Sequence, residues 1–347
     1  MTTLEHAQAT LADLTTLRLG GPARRVIEVD TEADLVKAVA AVDKAGGPLL
    51  VVGGGSNLVV ADEGFDGTVV LVRTDGVEAS GDMCGGASVE VAAGTDWDTL
   101  VERAQQEGWV GIECLSGIPG STGATPLQNV GAYGQEVAQT IASVRTWDRH
   151  AGRQRTFAAA ECDFGYRTSR FKAEPDRHVV LAVTFALRFG DLSTPLTYAE
   201  LARTVGVPLG QRAPLADVRQ VVLDLRRRKG MVLDASDHDT WSAGSFFTNP
   251  VLDAEHADLL PPGAPRFAQP DGRVKTSAAW LIENAGFAKG HGRGRVRLST
   301  KHTLAVTNRG DARTADLIDL AREIRDGVQE RFGIVLAPEP VTVGFSL

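Results

Sequence analysis

Cysteine is scarce in this chain. Its three residues, Cys84, Cys114 and Cys162, are widely spaced, odd in number and include no CxxC. The seven histidines form neither HExxH nor a zinc-ligand spacing. A disulfide scaffold and a structural zinc site are therefore not expected, and a reducing compartment fits. Positive charge is also short: 36 Lys and Arg stand against 44 Asp and Glu, a net of −8. A general binder of nucleic acid or membrane surfaces needs the opposite field. No apolar run approaches the roughly 20 residues that span a bilayer. The opening MTTLEHAQATLADL has acids and no basic segment before an apolar core, so no signal peptide is expected. A soluble, cytoplasmic protein is the expectation.

What is present reads as globular. Hydrophobic residues at 43% and charged residues at 23% match ordinary usage, which excludes wholesale disorder. The 347 residues suffice for two or three domains without staples. Strand and helix signals alternate through the first half. Residues 26–29 read as a strand, Thr31 as an N-cap, and Leu35, Ala38, Val39 and Val42 recur at helical spacing until Gly46 and Gly47. Further strands are expected at 49–52, 68–72, 88–93, 143–147 and 178–189. Thr95 is expected to cap a helix carrying Leu100, Val101 and Ala104, which Gly108 ends.

A boundary is expected near 200–215. Beyond it Leu215, Val218, Val221, Val222 and Leu225 mark a helix ending in the run Arg226, Arg227, Arg228, Lys229. The Pro-rich 261–272 reads as a loop. Thr314 is expected to cap a helix closed by Gly333, with a final strand at 341–345. Residues 206–302 hold 14 Lys and Arg against 10 Asp and Glu, a net of +4, while the rest carries 22 − 34 = −12. A basic lobe in an acidic chain suits an anionic small ligand.

Two glycine-rich segments follow strands. In the first, Gly53 and Gly55 fit the opening of a dinucleotide fingerprint, but Leu58 stands where its third glycine belongs, and no GxxxxGK[ST] occurs. The second, GIECLSGIPGSTGATPLQNVGAYG at 111–134, is too polar for a core strand and too broken for a helix. Both carry Ser, Thr or Asn donors, a combination able to wrap a pyrophosphate with backbone N–H groups. Spacing alone does not name the ligand.

The ordered set of motifs does more. GGGSN (53–57), IPGSTGATPLQNVGAYG (118–134), FGYRTSRFK (164–172), LTYAEL (196–201), the R-x-x-K at 226–229, GSFFTNP (244–250), KTSAAWLIENAG (275–286) and APEP (337–340) resemble, in order, the UDP-N-acetylenolpyruvoylglucosamine reductase family. The resemblance implies an α+β fold. An FAD domain of the vanillyl-alcohol-oxidase type would occupy 1–205, in two subdomains of about 1–72 and 73–205. A UDP-sugar domain would take 206–335, and a catalytic tail 336–347. It implies NADPH-dependent reduction of UDP-N-acetylglucosamine enolpyruvate by a monomer in peptidoglycan precursor synthesis. FAD would be noncovalent, because the first glycine loop offers Ser56 and Asn57 where some wider relatives carry a histidine.

The same resemblance assigns residues. Gly53, Gly54, Gly55, Ser56, Asn57 and Leu58 would line the cofactor. So would Ile118, Pro119, Gly120, Ser121, Gly123, Ala124, Thr125, Gln128, Asn129, Gly131, Ala132, Tyr133, Gly134 and Arg226. Arg167 would meet the substrate carboxylate, for which a planar guanidinium suits better than an ammonium. Ser245 would donate the proton, with Glu339 beside the developing enolate. Tyr198, Lys229, Asn249 and Lys275 would contact the UDP-sugar. Two features stay apart from this set. Thr248 stands where several relatives carry lysine, and Arg293, Arg295 and Arg297 receive no role. The competing readings are an FAD-dependent oxidase of the wider superfamily and a UDP-sugar-binding regulator without catalysis.

Overall fold

The computed structural model describes residues 4–6 and 9–347. Part of the N-terminal stretch read above, residues 1–3 and 7–8, lies outside the described residues. The chain forms two compact units, each assembled from separate segments. Residues 24–54 and 66–227 build the first, and residues 9–23, 55–65 and 228–347 the second.

The first unit centres on the strand His178–Phe189, whose residues are buried almost continuously along its first half. It pairs antiparallel with Ile141–Asp148 on one side and Gly86–Ala92 on the other, and its end meets Trp109–Val110. The outer strands are Arg153–Ala158 and Val77–Asp82. A second sheet places Leu49–Val52 parallel to Phe65–Val72. Thr31 caps the helix Glu32–Ala45 by accepting from the Asp34 N–H, and Gly46 ends it in a left-handed conformation. The helix Trp97–Gln106 buries Trp97, Leu100, Val101 and Ala104, a 3.6-residue stripe. Trp97 also gives its indole N–H to the Leu115 carbonyl at 3.1 Å, so this large ring is buried with its polar atom satisfied.

In the second unit the helix Thr314–Phe332 buries Leu317, Leu320, Ala321, Ile324 and Val328, and Gly333 closes it. The short strands Gly292–Arg293, Val296–Leu298 and Val306–Asn308 form one antiparallel sheet, and Val251–Leu252, Val274–Lys275 and Phe267–Ala268 form another. The strand Val341–Val343 runs parallel to Leu58–Val60.

Several sequence expectations shift. The cap of Trp97–Gln106 is Asp96, one residue later than Thr95. Thr95 instead donates to the Asp75 carboxylate, because a carboxylate one residue on reaches the Thr99 N–H better. Thr314 is the first helical residue rather than a cap. Its N–H and that of Ala315 go to the Asp62 carboxylate, a cap supplied from 252 positions away. The last strand stops at Val343, where Gly344 turns to φ 85°. The Pro-rich loop contains the two-residue strand Phe267–Ala268, formed only through its partner Val274–Lys275.

Candidate functional site

Each unit gathers its own share of the sequence-assigned residues. In the first unit, the turn after Leu49–Val52 lies against the second glycine segment. A Cβ on Gly54 would come within 2.6 Å of the Gly120 Cα, and one on Gly53 would overlap the Ser121 hydroxyl. The Arg73 guanidinium holds the Gly53 carbonyl at 2.9 Å. The second segment is itself sewn down. The Thr122 N–H and hydroxyl both reach the Thr95 carbonyl, Gly123 donates to Ala93 at 2.8 Å, and Gly120 accepts from Trp97 at 3.0 Å. Thr125 closes a tight turn onto Thr122. Glycine backbone thus meets glycine backbone at Gly54 and Gly120, with the Ser121 hydroxyl seated against Gly53. Close-packed glycine backbone with a hydroxyl beside it suits a pyrophosphate, and it fits FAD as the group these loops would hold.

Three of the sequence-assigned residues of this half sit in left-handed backbone, where non-glycine residues are uncommon: Asn129 at φ 46°, Tyr133 at 50° and Arg167 at 53°. They are connected. Gly165 and Thr168 exchange backbone hydrogen bonds around the Tyr166–Arg167 turn. The Arg167 guanidinium donates to the Gly131 carbonyl at 2.8 Å and to the Asn129 carbonyl at 3.4 Å. Asn129 is 1% exposed; its amide donates to Glu136 and to the Gly165 carbonyl and accepts from the Ala138 N–H. The buried amide therefore fixes the turn that presents Arg167.

Tyr133 meets Tyr198 edge to face, with ring centroids 5.3 Å apart. Tyr198 is 41% exposed at the start of the helix Ala199–Val205. Near them, burial pushes the Arg226 guanidinium down to about 10, against the attraction of Tyr133 and Asp98. Asp98 is itself pulled below the usual carboxylate range. Burial opposes that shift, but the bidentate Arg219 pair at 2.7 and 3.0 Å and the Gly117 N–H outweigh it.

In the second unit, backbone pairing does the gathering. Glu339 donates its N–H to the Phe246 carbonyl at 2.9 Å, Thr248 donates to Ala337 at 3.0 Å, and Phe247 bridges Pro338. Ser245 and Glu339 therefore sit on adjoining segments. Val341 donates to the Asn57 carbonyl at 2.9 Å, so the later part of the first glycine loop, Gly55 to Leu58, adjoins the same tail. Phe246 and Phe247 are buried, as expected of core residues. Asn249 accepts from the Ala278 N–H at 2.9 Å and so caps the helix Ala278–Asn284, a structural task that the sequence reading missed. Lys275 lies opposite both Val251 and Phe267 in the small sheet. Lys229 is half-buried just past the helix Leu215–Arg228.

Among the described residues no cluster of His, Cys, Asp or Glu is arranged to hold a metal, and no helix is long and apolar enough to cross a membrane. The three cysteines are free thiols.

Comparison with known proteins gives the family. Residues 236–343 match the family model of the UDP-N-acetylenolpyruvoylglucosamine reductase C-terminal domain, and residues 23–158 that of an FAD binding domain. The chain is 56% identical over 340 residues to the UDP-N-acetylenolpyruvoylglucosamine reductase of Cutibacterium acnes, covering 97% of this chain and 90% of that one. It is 56% identical over 357 residues to the one from Thermobifida fusca, covering 100% of each. Among solved structures, the UDP-N-acetylenolpyruvylglucosamine reductase of Thermus caldophilus superposes with a TM-score of 0.65 at 26% identity, over 99% of this chain and 100% of that one. The chain belongs to the UDP-N-acetylenolpyruvoylglucosamine reductase family.

Proposed function

We infer that the protein is an FAD-dependent reductase that uses NADPH to convert UDP-N-acetylglucosamine enolpyruvate to UDP-N-acetylmuramate in peptidoglycan precursor synthesis, acting in the cytoplasm as a monomer. The observation that carries this reading is full-length similarity to the reductases, from the flavin loops to the tail that bears Glu339. Flavin binding is assigned to residues 1–205, the UDP-sugar to 206–335 and a catalytic role to the tail 336–347. When bound, FAD supplies hydride to the vinyl carbon of the substrate.

The chain's residues do the rest. Hydride addition puts negative charge into an enolate conjugated with the substrate carboxylate, so the largest catalytic contribution comes from charge stabilisation prepared in advance. Arg167 supplies it as a fixed fork, with part of its guanidinium spent on Gly131 and Asn129 to hold its direction. Ser245 gives its proton to the adjacent carbon. A hydroxyl is a weak acid, so this step relies on stabilisation and rapid reprotonation of the alkoxide by neighbours, with Lys229 and Asn249 the candidates. Glu339 hydrogen-bonds to the developing acid, and its backbone tie to Phe246 keeps it beside the Ser245 segment. Tyr198 and Lys275 contact the UDP-sugar, whose diphosphate suits the basic lobe. Thr248 stands where several relatives carry lysine, and its main-chain bond to Ala337 does not depend on that side chain.

The test is spectroscopic. Purified protein should show flavin bands that bleach with NADPH under anaerobic conditions and return on adding UDP-N-acetylglucosamine enolpyruvate. Bands that return only with oxygen would favour an oxidase. A colourless protein that binds no added FAD would refute the flavoenzyme reading.

A further inference from the structure

Glu113 and Asp148 are the most enclosed acids of the first unit among the described residues, and the chemistry above leaves Glu113 unused. It is 2% exposed, in the short helix Glu113–Leu115, and no cation pairs with it among the described residues. Its carboxylate is instead filled by four donors. The Gly111 N–H lies at 2.7 Å, the Gln135 amide at 2.8 Å, the Thr194 N–H at 2.7 Å and the Thr194 hydroxyl at 3.0 Å. Gln135, 4% exposed, completes the circuit by donating to the Thr194 hydroxyl and accepting from the Cys114 N–H, both at 2.7 Å.

The circuit ties three stretches of chain together, and two of them lead to the tyrosine pair. Gln135 pairs with Ala132 across the turn that carries Tyr133 and Gly134. Thr194 lies four residues before Tyr198, and Thr197 packs directly on Gly134. The segment between the strand His178–Phe189 and the helix Ala199–Val205 has no regular structure of its own. Main-chain bonds at Asp191, Ser193 and Leu196 fasten this segment to residues 210–215, and the Glu113 carboxylate adds the tie that joins it to the Tyr133 turn. Arg167 is oriented through the Asn129 amide and bonds the Gly131 carbonyl, next to Ala132 in the same short hairpin.

We propose that Glu113 and Gln135 are positioning residues, which set the Tyr198 segment against the Tyr133 turn and so govern affinity for the UDP moiety, without acting on the reduced carbon. This rests on the reductase reading, in which Tyr198 contacts the UDP-sugar. An acceptor-only carboxylate is required: in Glu113→Gln one half of the side chain becomes a donor facing other donors, and at least one buried bond is lost.

The experiment measures three quantities in wild type and Glu113→Gln: UDP binding by calorimetry, steady-state kinetics with the enolpyruvyl substrate, and retained FAD with melting temperature. The proposal expects UDP affinity to fall and KM to rise by roughly tenfold, the effect of one or two buried hydrogen bonds. The value of kcat should stay within about twofold, with flavin content kept. Unchanged UDP affinity and KM would overturn it. So would a fall in affinity that comes only with lost flavin and a collapsed melting temperature, which marks a purely structural role. Should Glu113→Gln not fold, Thr194→Val removes the hydroxyl alone and is expected to shift UDP affinity in the same direction by roughly threefold. No shift there would equally overturn the proposal. A wild type that binds UDP yet reduces no enolpyruvyl ether would instead overturn the reductase reading.

Discussion

The two units hold their functional residues by different means. In the first, Arg167, Tyr133 and the glycine loops are fixed by side chains: the Asn129 amide, the Glu113 carboxylate, Gln135, Thr122 and Arg73. In the second, Ser245 and Glu339 are brought together by main-chain bonds between 246–248 and 337–339, in which side-chain identity plays little part. Backbone pairing leaves the side chains free to be chosen for chemistry. Side-chain anchoring instead allows strained backbone to persist, because buried bonds overdetermine it.

That contrast can be broken or sharpened by substitution. The largest effect is expected at Ser245. Ser245→Ala should lower enolpyruvyl reduction by roughly 10²–10⁴-fold, the usual span for a proton donor, while flavin bleaching by NADPH continues. Stability should move by less than about 0.5 kcal/mol, since the pairing is main-chain. A large fall in melting temperature would show that the second unit also depends on side chains.

Asn129→Ala should do the reverse. It removes three buried side-chain hydrogen bonds and leaves a left-handed residue without its support, which should cost about 2–4 kcal/mol in denaturant unfolding. Gly54→Ala places a methyl group against the Gly120 backbone and should cost roughly 1–3 kcal/mol, read most directly as weaker retention of FAD. Full flavin occupancy in that variant would separate the cradle from the cofactor.

The smallest effect concerns acid. His178 is buried against the edges of Phe157 and Phe171, and its Nδ1 has no hydrogen-bond partner. Burial holds it below its ordinary value of 6.5, despite the pull of Asp148 and Glu174. The unfolded chain therefore binds the proton first. Its contribution to stability is complete above about pH 6.5 and is lost as pH falls through the lowered value. Asp148 is held at about 2 mainly by its hydrogen bond and charge pairing with Arg177 against opposing burial, and its contribution fades only below about pH 4. Unfolding midpoints measured in steps from pH 8 to pH 3 should show a shallow decline that His178→Phe removes above pH 4. A slope unchanged by that variant would assign the decline elsewhere.

Legibility in the sequence follows the same division. Elements set by local rules were readable, such as the Thr31 cap, the Gly46 and Gly333 stops and the strand expected at 178–189. Those set by distant partners were not. Asp62 capping the helix at Thr314, and Phe267–Ala268 becoming a strand only beside Val274–Lys275, depend on contacts that no local pattern encodes. Glu113, Gln135, Thr122 and Arg73 were missed for a similar reason. Most of their hydrogen-bond partners lie far along the chain, and the only local hint was an acid set in a glycine-rich stretch. Asn249 was legible as a polar residue in a motif, but its task of capping Ala278–Asn284 was not.

The strand Val341–Val343 carries a consequence for how the molecule comes into being. Its partner Leu58–Val60 is made early in synthesis, some 280 residues before it. The two must wait for one another, a long loop closure that slows folding. Glu339 arrives on the same late segment. In the proposed mechanism, Glu339 reaches the Ser245 segment only once that last pairing forms, so the ability to turn over substrate would appear only with a finished fold.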